Sequence, residues 1–341
     1  MNLSKAKYYL IPAALCVAGI AAMGYYYFFT TFSSQQETQY VYIDGDDTAD
    51  SVYAKLEPLA SDGALTGFRT LARHYDYASH IRTGRYAIAP GENTVNTFRM
   101  MRNGKQEPIM LTVPECRTME QMAARLSQKL MIDSITIVQA LTDNHFCEKL
   151  GYDTLTIACA FVPNTYEVYW NTSIERLMER MVTEHDRFWT PERKHKATLI
   201  RLTPNEVSTL ASIIDEETAN NAEKPMIAGM YLNRLKIGMP LQADPTVKYA
   251  LKNFALKRIY HTHLEVNSPF NTYTNIGLPP GPIKVASIQG IDAVLNRVDH
   301  TYLYMCAKED FSGTHNFATT YLEHLKNAAR YSDALNRRGI K

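Results

Sequence analysis

The sequence has almost no net charge: 36 Lys and Arg stand against 35 Asp and Glu, a formal balance of +1 over 341 residues. Nucleic-acid binders carry a basic excess or stripe, so no nucleic-acid partner is expected, and an uncharged or weakly charged one fits better. Cysteine is scarce too. There are five, none in a CxxC spacing, which removes the usual zinc arrangements. Cys116, Cys147, Cys159 and Cys306 are too scattered in too large a chain for a disulfide framework, and read as buried free thiols. His261 and His263, in "HTH", lack the i, i+4 spacing and acidic neighbours of a metal site. No metal and no cofactor is expected.

Charge is missing altogether from Tyr8 to Phe29, "YYLIPAALCVAGIAAMGYYYFF". As a helix this stretch is long enough to cross a hydrocarbon core of roughly 30 Å. Lys5 and Lys7 precede it and no Lys or Arg follows before Lys55. The positive-inside bias therefore puts residues 1–7 in the cytoplasm and the rest of the chain outside, with tyrosines anchoring both ends. A cleaved signal peptide is the rival reading, but the run passes straight into Tyr and Phe with no small-x-small site. Leu15 is too large to precede a lipidated Cys16. An uncleaved single-pass anchor over 8–29 is favoured, followed by a polar linker over 30–40.

Beyond the linker a unit recurs: a β-like stretch, a polar turn, then a helix. "YVYIDGDDTADSVYAKLEPL", "GRYAIAPGENTVNTFRMMRNG" and "PIMLTVPECRTMEQMAARLSQKL" each switch from strand alternation to 3.6-residue periodicity after Thr48, Thr94 or Thr118. Such units pack as α+β modules. Residues 134–189 read as mostly helical, with "SIERLMERMVTEHDRFW" capped by Thr172 or Ser173. In "LTPNEV", Thr203, Pro204 and Glu206 form a capping box with Pro at the first helical position.

That helix runs into three consecutive acids, "LASIIDEET". Val207, Leu210, Ile213 and Ile214 form its apolar stripe, which Glu217 continues. Glu216 follows Thr209 and Ser212 on the polar face, and Asp215 lies at the flank with Ser208 and Ala211. A carboxyl carried to the core side at a helix C-terminus should hold its proton. The helix dipole, burial and two acidic neighbours all push that way. A Glu protonated near neutral pH is what a general acid for glycosidic cleavage needs. The plainer reading is a solvated charged helix end. Downstream, "MPLQADPTV" and "SPFNTYTNIGLPPGPI" place amides, hydroxyls and aromatics on Pro-stiffened loops, which suit a polyhydroxylated ligand.

Taken together, "LASIIDEETA", "YLNRLKIGMPLQADPTVKYAL", "SPFNTYTNIGLPPGPI" and "YLYMCAKEDFSGTHNF" resemble the YceG-like family of endolytic murein transglycosylases. The resemblance spans most of residues 208–320 and includes "FVPNTYEV" and the N-terminal membrane helix. It implies an α+β protein with a LysM-like module over 41–112, a connecting α+β and helical region over 113–200 and a catalytic domain over 201–341. It also implies an anchor in the cytoplasmic (inner) membrane with the catalytic domain outside, peptidoglycan glycan strands as substrate, and murein synthases as partners. The family's catalytic acid falls on Glu217. Gln242, Asp244, Asn271, Tyr273 and Asn275 match its polar motif positions, to bind glycan or brace Glu217, while His315 and Phe317 match a late "H-x-F" element that closes the cleft. The chain departs from the pattern at Asp215 (usually Glu), Glu216 (often Lys or Arg) and Val162 (often Trp), although Tyr166, Tyr169 and Trp170 lie near the last. The activity implied is cleavage of the MurNAc–GlcNAc bond to a 1,6-anhydro end. A hydrolytic muramidase with Asp244 as second carboxylate, and a non-enzymatic wall-binding scaffold, are the alternatives. A tag on residues 1–7 is expected to stay with the mature, membrane-bound chain on an immunoblot; its loss would mean cleavage.

Overall fold

Short polar side chains start the helices. A computed structural model describes residues 3–256 and 258–339, and divides them into two units. The first comprises Met1–Met110, Lys129–Met131 and Glu167–Thr172. It begins with helix α1 (Leu3–Phe28), within which Tyr8–Phe28 is long and apolar enough to cross a membrane. Strand β1 (Gln39–Ile43) leads through Thr48, the N-cap in a capping box with Ser51, into α2 (Ala49–Leu56) and then α3 (Asp62–His74). Strand β2 (Gly84–Ile88) returns antiparallel to β1, from Gln39 opposite Ile88 to Ile43 opposite Gly84, and precedes α4 (Thr94–Asn103).

Alternation along the strands buries Val41, Ile43, Tyr86 and Ile88 against Phe68, Phe98 and Met101. Phe68 and Phe98 meet edge to face with centroids 5.5 Å apart. The cap of α4 is the Asn of its turn and not the Thr. Asn93, not Thr94, accepts from the Asn96 N–H at 2.9 Å. Thr94 is the first helical residue, and its hydroxyl is buried.

The second unit comprises Leu111–Gln128, Ile132–Tyr166 and Ser173–Lys341. Strand β3 (Ile109–Thr112) leads into it, and Thr118 caps α5 (Met119–Ser127). Helices α6 (Ser134–Thr142) and α7 (Asn144–Lys149), strand β4 (Thr165–Val168), α8 (Ile174–Phe188, capped by Ser173) and α9 (Pro191–Leu199) follow. The rest comprises α10 (Pro204–Glu217), α11 (Lys224–Lys236), α12 (Asp244–Ala250), α13 (His261–Leu264), α14 (Ile288–Leu295), the antiparallel hairpin β5 (Tyr304–Ala307) and β6 (His315–Ala318), and α15 (Tyr321–Arg337).

Helix α10 is the axis of this unit. Thr203 and Glu206 close the expected capping box. The expected polar face is not a solvent face, however: every residue from Val207 to Ile214 is buried, Ser208, Thr209 and Ser212 included. Thr209 Oγ1 donates to the Asn205 carbonyl at 2.8 Å. Ser212 Oγ donates to the Thr209 carbonyl and accepts from the Ile283 N–H at 3.0 Å, tying the "PPGPI" loop to the helix. α11 and α14 pack beside α10 through Ile213, Ile214, Ile227, Tyr231, Ile291 and Val294.

Asp215, at the flank of the stripe, does not face solvent either. Its side chain is 2% exposed and accepts from Lys224 Nζ at 2.7 Å and from Ser287 N and Oγ, each at 2.7 Å. One carboxylate thus joins the end of α10 to the starts of α11 and α14. Gly290 permits the approach, because a Cβ there would lie 2.5 Å from Asp215 Oδ1. Removing one partner of a buried ion pair strands the other charge, at about 3–5 kcal/mol. Lys224→Met is therefore expected to lose that much in urea denaturation, and Asp215→Asn combined with Lys224→Met to recover part of it.

Candidate active site

Two residues past Asp215, Glu217 ends α10 and lines an open cleft of about 880 Å³, counted out into the solvent at its mouth. The residue is half-buried and is part of the cleft lining. Tyr231, one helix across on α11, donates its hydroxyl to Glu217 Oε1 at 2.8 Å. Burial and the adjacent Glu217 push the Tyr231 phenol well above its usual range, so it acts as the donor.

Burial raises the Glu217 pKa from the ordinary 4.5 to about 7. The Tyr231 hydrogen bond opposes the rise, Asp244 adds to it, and His315 and Lys248 oppose it. The acidic neighbours in sequence do not have the expected part. Asp215 is neutralised by Lys224, and Glu216 pairs with Arg117 Nη2 at 2.8 Å and lies 3.6 Å from Lys284 Nζ. The cation that departs from the motif at Glu216 is replaced by two from elsewhere in the chain. The like charge that acts on Glu217 comes from Asp244, on another element.

Asp244 opens α12 and accepts from the Tyr273 hydroxyl at 2.6 Å. A threonine clasp holds these two loops together. Thr246 and Thr272 hydroxyls meet at 2.9 Å, the Ala243 N–H reaches Thr272 Oγ1 at 3.0 Å, and the Gln242 N–H reaches the Thr272 carbonyl. This geometry forces Gln242 to φ +50°, a conformation that side-chain-bearing residues adopt at a cost. Gln242 is exposed and lines the cleft.

Of the residues the sequence singles out, Glu217, Gln242, Asp244, Tyr273 and His315 line one cleft. Asn271, Asn275 and Phe317 lie outside its lining. Asn271 Nδ2 donates to the Leu264 and Val266 carbonyls, and Asn275 Nδ2 to those of Ser268 and Asn271, so both brace the loop that carries Tyr273. Phe317 packs beside Tyr302, centroids 5.7 Å apart, against the core. Val162 and Tyr166 are buried, with the Tyr166 hydroxyl bonded to the Val162 carbonyl, and do not line the cleft.

Tyr231, Arg234, Tyr304, Tyr321 and His324 also line the cleft, and sequence reasoning missed their part in it. Arg234 shapes the wall by donating to the Leu303 carbonyl at 2.6 Å and the Leu241 carbonyl at 2.7 Å. A signal for Tyr231 did exist: a tyrosine on the inner face of an apolar helix needs a partner for its hydroxyl. Among the described residues no cluster of three or more His, Cys, Asp or Glu could hold a metal.

A family profile described as "YceG-like family" matches residues 41–330. The chain belongs to the YceG-like family. A curated relative from Bacillus subtilis (strain 168), named endolytic murein transglycosylase, is 30% identical over 278 residues, which cover 77% of this chain and 76% of the relative. One of the same name from Streptococcus pneumoniae serotype 2 is 26% identical over 305 residues, 80% of this chain but only 54% of the longer relative. The crystal structure of a YceG-like protein from Listeria monocytogenes is similar with a TM-score of 0.57 and 27% identity, covering 86% of this chain and 99% of the other.

The raised Glu217 pKa fixes the sign of a stability effect. Below the ordinary 4.5 the carboxyl is neutral in folded and unfolded chains alike; between 4.5 and about 7 folding opposes ionisation, and stability falls as pH rises. Glu217→Gln, which escapes this, is expected to be no more stable than wild type at pH 4. Above pH 7 it should be more stable, by about 1–3 kcal/mol once solvent in the cleft is allowed for. Thermal melts across pH check this.

Proposed function

We propose that this YceG-like protein cleaves the β-1,4 bond between N-acetylmuramic acid and N-acetylglucosamine within nascent peptidoglycan strands, leaving 1,6-anhydro ends. By family and by the names of its curated relatives it is an enzyme of the murein lytic transglycosylase class. The observation that carries the finer reading is the Glu217 carboxyl in the cleft lining, with a pKa of about 7 and a phenol hydrogen bond holding it in place.

A carboxyl so poised can protonate the leaving oxygen near neutral pH. The nucleophile in this reaction is the muramic acid's own C6 hydroxyl, already beside the anomeric carbon. Proximity takes the place of a base-activated water, so the pair of flanking carboxylates that ordinary glycosidases use is not required. Glu217 ends the cycle by regaining a proton that leaves the C6 hydroxyl. Gln242, Asp244, Tyr273 and His315 contact the glycan in this reading, while Asn271, Asn275 and Phe317 support the walls. Tyrosine faces and amides suit uncharged sugar rings.

The same proposal places the α1 span in the cytoplasmic (inner) membrane, with the cleft on the extracytoplasmic side. There nascent strands are made and a murein synthase would be the neighbour whose elongation is ended. It also treats residues 41–112 as a LysM-like module and residues 201–341 as the catalytic domain. Asp244 in the same cleft is the observation that favours a muramidase as second reading. Full-length protein in detergent, incubated with polymeric murein, separates the two: anhydro ends are lighter than reducing ends by one water. Anhydro products are expected, and Glu217→Gln should abolish them. Unchanged products from that variant would sink the assignment.

A further inference from the structure

Beside the cleft lies a second carboxylate whose use is unexplained. Glu223, the residue that opens α11, is buried and directs both oxygens at one residue. Oε1 accepts from the His315 backbone N–H at 2.6 Å, and Oε2 meets His315 Nδ1 at 2.9 Å. The first bond alone would fix the start of β6. The second fixes the imidazole ring. A carboxylate only accepts, so Nδ1 is the protonated ring nitrogen. Nε2 is then the ring nitrogen left to the cleft that His315 lines. A carboxylate behind a histidine in this arrangement sets the tautomer and stabilises the imidazolium that forms when the outer nitrogen takes a proton.

The proposed reaction has an opening for such a group. As the glycosidic bond breaks, Glu217 gives its proton to the leaving O4. If O6 attacks in the same interval, the one carboxyl would have to give a proton and receive another at once. We propose that His315, oriented by Glu223, is a second proton acceptor in the cleft, taking the C6 hydroxyl proton and relaying it to Glu217. This rests on the transglycosylase reading above. The balance closes: C1–O4 breaks and O4 gains the Glu217 proton, O6–C1 forms and the O6 proton passes to Nε2. The imidazolium then returns that proton to the Glu217 carboxylate. A positive charge on His315 lowers the Glu217 pKa, so an imidazolium and a Glu217 anion formed together stabilise each other. His315 is thus assigned as a catalytic residue and Glu223 as a positioning one.

The test uses full-length protein in detergent, with soluble uncross-linked glycan strands and mass-spectrometric counting of anhydro ends. His315→Ala is expected to lower kcat about 100-fold with KM unchanged, and added imidazole should restore part of the rate. Glu223→Gln should lower kcat by at least about 10-fold, yet add nothing further when combined with His315→Ala. Should His315→Ala fail to fold, His315→Asn, which keeps a donor toward Glu223 but lacks Nε2, carries the same kcat expectation. With Glu217→Gln inactive, a near wild-type kcat in the His315 variant, a loss that imidazole does not restore, or additive losses would each overturn the relay. An active Glu217→Gln would overturn the underlying reading instead.

Discussion

The second unit depends on one buried ion pair. Asp215 and Lys224 are 7% exposed or less in their side chains, far from the water that would otherwise solvate them. A charge in that position is tolerable only with its partners in place, so the pair dictates where three helices can meet. The end of α10, the start of α11 and the serine that caps α14 are fixed to the same two oxygens. Glu217 follows two residues later on a helix end that has little freedom to fray. The precision of the candidate catalytic carboxyl is borrowed from its neighbour.

The three consecutive acids meet three different ends. Asp215 is buried and ion-paired, and Glu216 is balanced by Arg117 and Lys284. Glu217 receives a neutral phenol and the repulsion of Asp244. A full cation beside Glu217 would favour its ionised form and pull its pKa down. The chain gives ion-pair partners to the two acids that keep the structure and a tyrosine hydroxyl to the one that would do chemistry, with the positive charge of Lys248 acting on it only from farther off.

Much of this was legible in sequence where the cause is local. Capping at Thr48, Thr118, Ser173 and Thr203, and the helical phase that turns Glu217 inward, depend on residues a few positions apart. Thr94 shows the limit even there: either Asn93 or Thr94 could cap, and one residue decides which hydroxyl or amide faces the helix end. Contacts between distant segments were not legible. Arg117 reaches Glu216 across 99 positions, and Glu223 reaches His315 across 92. Helical phase assumes that a polar stripe faces water, which fails for α10 because other elements cover every side of it. The part of the loop asparagines was open for a similar reason: side chains that bond their own loop and those that face a ligand have the same composition.

Gln242 carries a different kind of information. Its backbone at φ +50° is one that glycine would occupy without penalty. Screening the chain for heat resistance would therefore tend to favour a glycine here, together with an amide in place of Glu217, since each relieves a local cost of the native state. Both replacements remove a group from the cleft. The most durable version of this molecule and the working one should thus differ at the same few positions, and laboratory selection for durability alone would drift toward an inert wall protein.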